Sequence, residues 1–151
     1  MRGVTYVLGA IVLATAAGCA SRGVVSGAAG GAGSGSSEYP SETFEVQTDY
    51  EAALRRAGEF YRVCFVGKEH PFGVGYVANP SVDLKGTLGA TRLAQVDQPA
   101  RTLMLIETEP SGPRSATVHV TVIGERQWDA AQIDAARQSI QSATPVCRVE
   151  P

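Results

Sequence analysis

Apolar residues recur along this chain with three successive periods. From Tyr50 they fall at helical spacing: Ala53, Leu54, Ala57, Tyr61 and Cys64 follow on one stripe, as a 3.6-residue repeat requires. Thr48 and Glu51 make a T-x-x-E capping box ahead of that stripe, and Gly67 supplies a stop behind it. Glu51, Arg55 and Glu59 stand four apart with alternating sign, which suits the solvated side of the same helix.

The period then shortens to two. Val74–Ala78, Ser81–Thr87 and Thr91–Val96 are short candidate strands separated by Gly, Pro and Asp. Arg101–Thr108 (RTLMLIET) and Ala116–Ile123 (ATVHVTVI) carry the strongest strand pattern, rich in β-branched and apolar residues. Between them EPSGPR, with two prolines and a glycine, reads as a hairpin loop. Connections this short make the sheet antiparallel, because a parallel crossover takes a dozen or more residues.

Helical spacing returns near the C-terminus. Asp129 and Gln132 form a D-x-x-Q capping box, flanked by Trp128 and Ile133 at the positions of a hydrophobic staple. Ile133, Ala136 and Ile140 continue the apolar face to about Gln141; Pro145 prevents its extension, leaving Val146–Val149 extended. The expected domain is therefore two-layer α+β: a helix, four or five antiparallel strands, a second helix on the same face, and an extended tail.

The N-terminus obeys none of these periods. Arg2 is followed by an apolar run, Val4 to Leu13, and then by Ala16-Ala17-Gly18-Cys19. The run is shorter than the roughly 20 apolar residues that span a bilayer, and its charge pattern is that of a secretion signal. The segment resembles bacterial lipoprotein precursors, with Ala16 where that pattern prefers leucine. The resemblance implies cleavage before Cys19 and lipidation (palmitoylation included) of that cysteine. With Ala20 and Ser21 following in place of an aspartate, it implies the periplasmic face of the outer membrane rather than the inner membrane. Residues 20–41 hold six glycines between Gly23 and Gly35 among Ser and Ala, a composition that cannot offset the entropy of ordering. No Lys-Ser/Thr follows these glycines, which removes a phosphate-binding loop. The expected division is a signal peptide over 1–18, lipidated Cys19 with a flexible tether over 19–43, and one domain over 44–151.

Charge and cysteine content narrow the partners. Of 13 basic and 15 acidic residues only Arg2 lies in 1–18, so the processed chain carries about −3 and no basic cluster. Nucleic acid is not an expected partner. Setting Cys19 aside leaves Cys64 and Cys147, an even pair in an oxidising compartment that reads as a disulfide. A metal pair or redox dithiol would normally show C-x-x-C spacing or adjacent histidines, which these two lack.

Few residues suggest chemistry. His119 alternates with Val118, Val120 and Val122, which places it on the polar face of its strand with Thr117 and Thr121. His70 precedes Pro71 in a loop. Glu107 and Glu109 share a strand face near a hairpin end, Asp129 reads as a cap, and Asp134 as part of an exposed helix face. No spacing matches a metal set or a catalytic triad, so no cofactor, no metal and no enzymatic activity are expected. Trp128, the one tryptophan, is a candidate interface anchor, although its staple position favours local packing. The Thr117/His119/Thr121 face, taken with Thr102 and Thr108, is a second candidate, since Met104 and Ile106 share the latter face.

WDAAQIDAARQSIQSATPVCR together with Tyr50–Cys64 resembles small uncharacterised proteobacterial lipoproteins ending W-D-x-x-x-I-x-x-A-x-x-S-I…P-V-C-R. That likeness implies a fold and no mechanism. The helix–sheet–helix order also resembles helix-grip domains of some outer-membrane assembly lipoproteins. The expected function is a lipid-anchored, non-enzymatic domain that binds an envelope protein or other envelope component. A domain holding a small apolar ligand such as a lipid, and a cryptic hydrolase, are the alternatives.

Overall fold

The computed structural model describes residues 38–68 and 73–149. The signal segment, Cys19, the glycine-rich stretch through residue 37 and His70 lie outside the described residues. What is described is an α+β domain with the order β1 (Ser41–Val46), α1 (Tyr50–Cys64), β2 (Tyr76–Val82), β3 (Gly89–Gln95), β4 (Thr102–Gly112), β5 (Ser115–Val122) and α2 (Ala130–Ser142). The five strands form one antiparallel sheet in the order β1-β5-β4-β3-β2.

The two helices form where their stripes indicate, with different local chemistry at the first. Asp49, not Thr48, is the N-cap of α1, and its carboxylate accepts from the Ala52 amide at 2.8 Å. An aspartate one residue closer to the first turn satisfies an orphan amide and adds negative charge at the positive end of the helix. Ala53, Ala57, Phe60, Tyr61 and Cys64 are its buried residues, so Phe60 joins the stripe and Leu54 lies at its margin. Asp129 caps α2 through the Ala131 amide at 3.0 Å. The Gln132 side-chain oxygen is buried without a hydrogen-bond partner, so the second half of the expected box stays open. Both helices cover one side of the sheet, with α1 over β3 and β4 and α2 over β1 and β5. Arg56 of α1 donates to the Ile140 carbonyl in the last turn of α2 at 2.9 Å, where a cation satisfies an end carbonyl.

The strands depart from expectation in three places. β1 begins at Ser41, so residues 41–43 belong to the sheet and not to the tether. It pairs with β5 through Thr43↔His119 and Phe44↔Val118. The chain order is therefore strand, helix, four strands, helix. Val74–Ala78 and Ser81–Thr87 do not form two strands. One strand, β2, runs from Tyr76 to Val82, and residues 83–88 turn into β3. Pro80 is accommodated because β2 is an edge strand that needs bonds on one side alone. Finally, β4 continues through Pro110 to Gly112, and the expected EPSGPR loop contracts to Pro113-Arg114. The β3 pairing reaches only Thr108 (Gly89↔Thr108), so Pro110 has β5 as its sole neighbour and no amide is missed there.

The core lies between sheet and helices. Val118, Val120 and Val122 of β5, Met104 and Ile106 of β4, Leu93 of β3, and Phe60 and Tyr61 of α1 have no exposed surface. A register shift between Leu93 and Ala94 brings two successive β4 residues, Leu103 and Met104, into this core, as a bulge does by defeating the strict alternation. At one end an aromatic group closes the layers. Phe65 stacks on Trp128 with ring centroids 5.4 Å apart, and Tyr76 meets both edge-on at 6.0 and 5.8 Å. Gly124 is required beside them: a Cβ there would sit 2.4 Å from the Trp128 ring.

The tail is tied at three consecutive residues. Val146 receives a hydrogen bond from, and its amide donates to, the Ser139 hydroxyl. Cys147 is disulfide-bonded to Cys64 across 83 residues, with a Cα separation of 5.2 Å. Arg148 donates to the Gln127 carbonyl at 2.6 Å and pairs with the Asp129 carboxylate at 3.0 Å. The clasp thus joins the end of α1 to the start and the end of α2.

Candidate functional site

Alternation along β5 creates a second face, which neither helix covers. With Ala116, Val118, Val120 and Val122 under the helices, Thr117, His119 and Thr121 point to the other side, each partly buried by neighbours. Register carries the same division to the adjoining strands. Thr43, His119 and Glu107 lie in one cross-strand row, and Glu45, Thr117 and Glu109 in the next. The Thr43 hydroxyl meets His119 Nδ1 at 2.7 Å, and the Thr121 hydroxyl meets Nε2 at 3.0 Å. A histidine whose two ring nitrogens each face a hydroxyl is fixed in orientation, as either neutral tautomer can satisfy both contacts. His119 is therefore on the expected face, held by threonines on both sides and less solvated than its strand position alone suggests.

These side chains surround an open hollow of about 320 Å³. Thr43, Thr117 and His119 line it together with the β4 run Glu107, Thr108 and Glu109, and Leu88 contributes an apolar wall from the turn before β3. Neither Glu107 nor Glu109, nor the neighbouring Glu45, is ion-paired among the described residues. The lining is thus acidic, hydroxylated and apolar on one side.

The turn that supplies Leu88 is organised by one carboxylate. Asp83 accepts from the Thr87 amide at 2.6 Å, the Thr87 hydroxyl at 3.0 Å and the Leu88 amide at 2.9 Å. Hydrogen bonding from the Leu88 amide, assisted by Thr87 and Lys85, holds the Asp83 carboxyl below its ordinary range. Gly86 takes φ +68° within this turn, a conformation that a side chain would strain. Leu84 at the tip is fully exposed, with relative exposure 108%, and Val82 and Leu88 remain 55% and 39% exposed.

The other sequence candidates take structural positions. Trp128 is 7% exposed and packed among Phe65 and Tyr76, so it is part of the core and not a surface anchor. Thr108, Met104 and Ile106 are wholly buried on the helix side. The Thr108 side chain therefore does not share the His119 face, as the pairings Thr108↔Val118 and Ile106↔Val120 assign it to the valine side, although the residue itself borders the hollow between Glu107 and Glu109. Thr102, beyond the register shift and paired with Ala94, is partly buried. Asp129 caps α2 and binds Arg148; Asp134 pairs with Arg137 on the surface of α2. Glu107 and Glu109 do share a face near the hairpin, as their spacing implied. What the sequence reading missed is Thr43 and Leu88, which reach the hollow only through pairing with a distant strand or through a turn, and Glu45, which pairs with Thr117 beside it. The alternation S-E-T-F-E-V was the one available signal for β1.

Among the described residues no group of three or more His, Cys, Asp or Glu is placed to hold a metal ion. No helix among them is long and apolar enough to cross a membrane. No family model and no curated protein matches the chain.

Proposed function

We propose that this chain is a lipid-anchored domain of the periplasmic face of the outer membrane, and that its helix-free sheet face docks a protein or envelope component. In this reading Cys19 carries the anchor and residues 20–40 let the domain reach outward. Docking, not chemistry on the docked component, is its role. The observation that carries the reading is the face that neither helix covers: a preformed sheet surface bearing a hollow, a fixed His119 and the exposed Leu88 beside it. The filled space between the layers supports docking over retention of an apolar ligand there, because Phe60, Tyr61, Leu93, Met104 and Ile106 occupy it without exposed surface.

Photocrosslinking in intact cells tests this. A photoreactive residue at Thr117 is expected to trap one reproducible envelope component, and the same residue at Arg55, exposed on α1, is expected not to trap it. Equal yields from both positions, or none from either, would refute the docking face. Intact mass of the membrane-extracted protein reports independently on acylation of Cys19; an unmodified, soluble form would remove the anchor.

A further inference from the structure

We infer that the hollow receives an extended, basic segment of a partner protein, with cationic side chains on alternate residues and an aliphatic one beyond them. This rests on the docking reading and names the partner chemistry. Three carboxylates border the site, Glu107 and Glu109 in its lining and Glu45 across Thr117 from Glu109. None is ion-paired among the described residues. Side chains two apart on one strand project from the same face about 6.5–7 Å apart. A partner in extended conformation repeats that spacing, so two of its cations reach Glu107 and Glu109 together. A helix, whose neighbouring side chains lie three and four residues apart, presents no such pair from adjacent alternate positions.

The apolar end of the site defines the rest of the segment. Leu88 walls the hollow, and Leu84 at the tip of the same turn adds exposed apolar surface. Asp83 pins that turn through both Thr87 groups and the Leu88 amide, so less order is lost there when a partner binds. An aliphatic side chain past the cations meets this wall. An anionic bilayer surface or a nucleic acid would bring phosphates against unpaired carboxylates, which is repulsive. The charge pattern therefore favours a protein segment.

The probe is a blocked pentapeptide with lysine at its first and third positions, threonine at the second and fourth and leucine at the fifth, added to the full processed chain. Binding is expected to shift the amide resonances of Thr117 and His119. The double change Glu107→Gln and Glu109→Gln is expected to weaken it about tenfold, and raising salt severalfold to weaken it further in the unmodified protein alone. Leu88→Ser is expected to weaken it about three- to tenfold by removing the apolar wall. Both variants keep neutral or polar groups at partly exposed positions, and an unchanged Trp128 near-UV signal verifies their fold. Equal affinity of the glutamine variant, or equal binding of a peptide with glutamate in place of lysine, would overturn the inference. So would binding to phosphatidylglycerol vesicles that the peptide displaces, which would assign the face to a membrane. If Thr117 traps a partner through a segment lacking alternate cations, docking survives and this inference falls. If Thr117 traps nothing specific, the docking reading itself falls.

Discussion

The two sides of one sheet are built from alternate residues of the same strands and do opposite things. On the helix side Val118, Val120 and Val122 have no exposed surface and meet Phe60, Tyr61 and Ile140 in the core. One residue out of phase, Thr117, His119 and Thr121 face outward, hydroxyl and imidazole held against each other and bordered by carboxylates. Burial of apolar area drives folding on the first side. The second side contributes little to that term, and it carries Glu45, Glu107 and Glu109, none of them ion-paired among the described residues. The stabilising side and the proposed docking side are thus separated by a single-residue step along β5 and its neighbours.

The largest effect is expected from Phe60→Ala, which empties the centre of the covered side and should cost about 3–5 kcal/mol in urea unfolding. A loss below about 1 kcal/mol would mean that the helix side is not the stabilising one. Replacing Cys64 and Cys147 by serine should cost about 2–4 kcal/mol, through the loop of 83 residues that the bond closes in the unfolded chain. That loss should leave peptide binding at the open face unchanged; its disappearance would couple the clasp to the hollow.

A paired exchange tests the alternation directly. Val118→Thr puts a hydroxyl into the core and should cost about 1–3 kcal/mol, and Thr117→Val, one residue back, should stay within about 0.5 kcal/mol. Comparable losses at the two positions would erase the distinction between the sides. The smallest effect belongs to the turn beside the hollow. The Asp83 carboxyl is depressed in the folded protein, so its contribution is present above the ordinary aspartate range and is lost as pH falls through the lower folded value. A fall in the protection of the Thr87 and Leu88 amides, measured against the intrinsic exchange rate at each pH and absent from Asp83→Asn, is the expected signature on acidification. Peptide binding that survives loss of this order would show that the apolar wall needs no preorganised turn.

Legibility differed between the same regions. His119, Glu107 and Glu109 could be assigned to a polar face from alternation alone, because a period of two is local. Thr108 could not, since RTLMLIET carries four consecutive apolar residues, Leu103 to Ile106, and either phase is compatible with them. Pairing with Val118 decided it, and the shift at Leu93/Ala94 then placed Leu103 and Met104 on the same side. Trp128 illustrates the reverse case. Its staple position already argued for packing, and Phe65 and Tyr76, from two other parts of the chain, supplied the partners. The ending P-V-C-R looked like a signature and proves to be a clasp, with Val146, Cys147 and Arg148 tied respectively to Ser139, Cys64 and Asp129.

By itself, then, the sequence determined both helices, the two strongest strands, the antiparallel sense and the cysteine pair, all of which follow from spacing within a short window or from counting. The tertiary structure decided the rest. It added β1 to the sheet, merged two candidate strands into β2, extended β4 through Pro110, and chose which phase of β4 lies under the helices. Each of these depends on hydrogen bonds between residues far apart in the chain, such as the 76-residue separation of Thr43 and His119. A strand's own residues state an alternation, but its register with a neighbour selects the buried phase. The hollow exists only after that selection, where three strands and a turn bring Thr43, Glu107, His119 and Leu88 to one place.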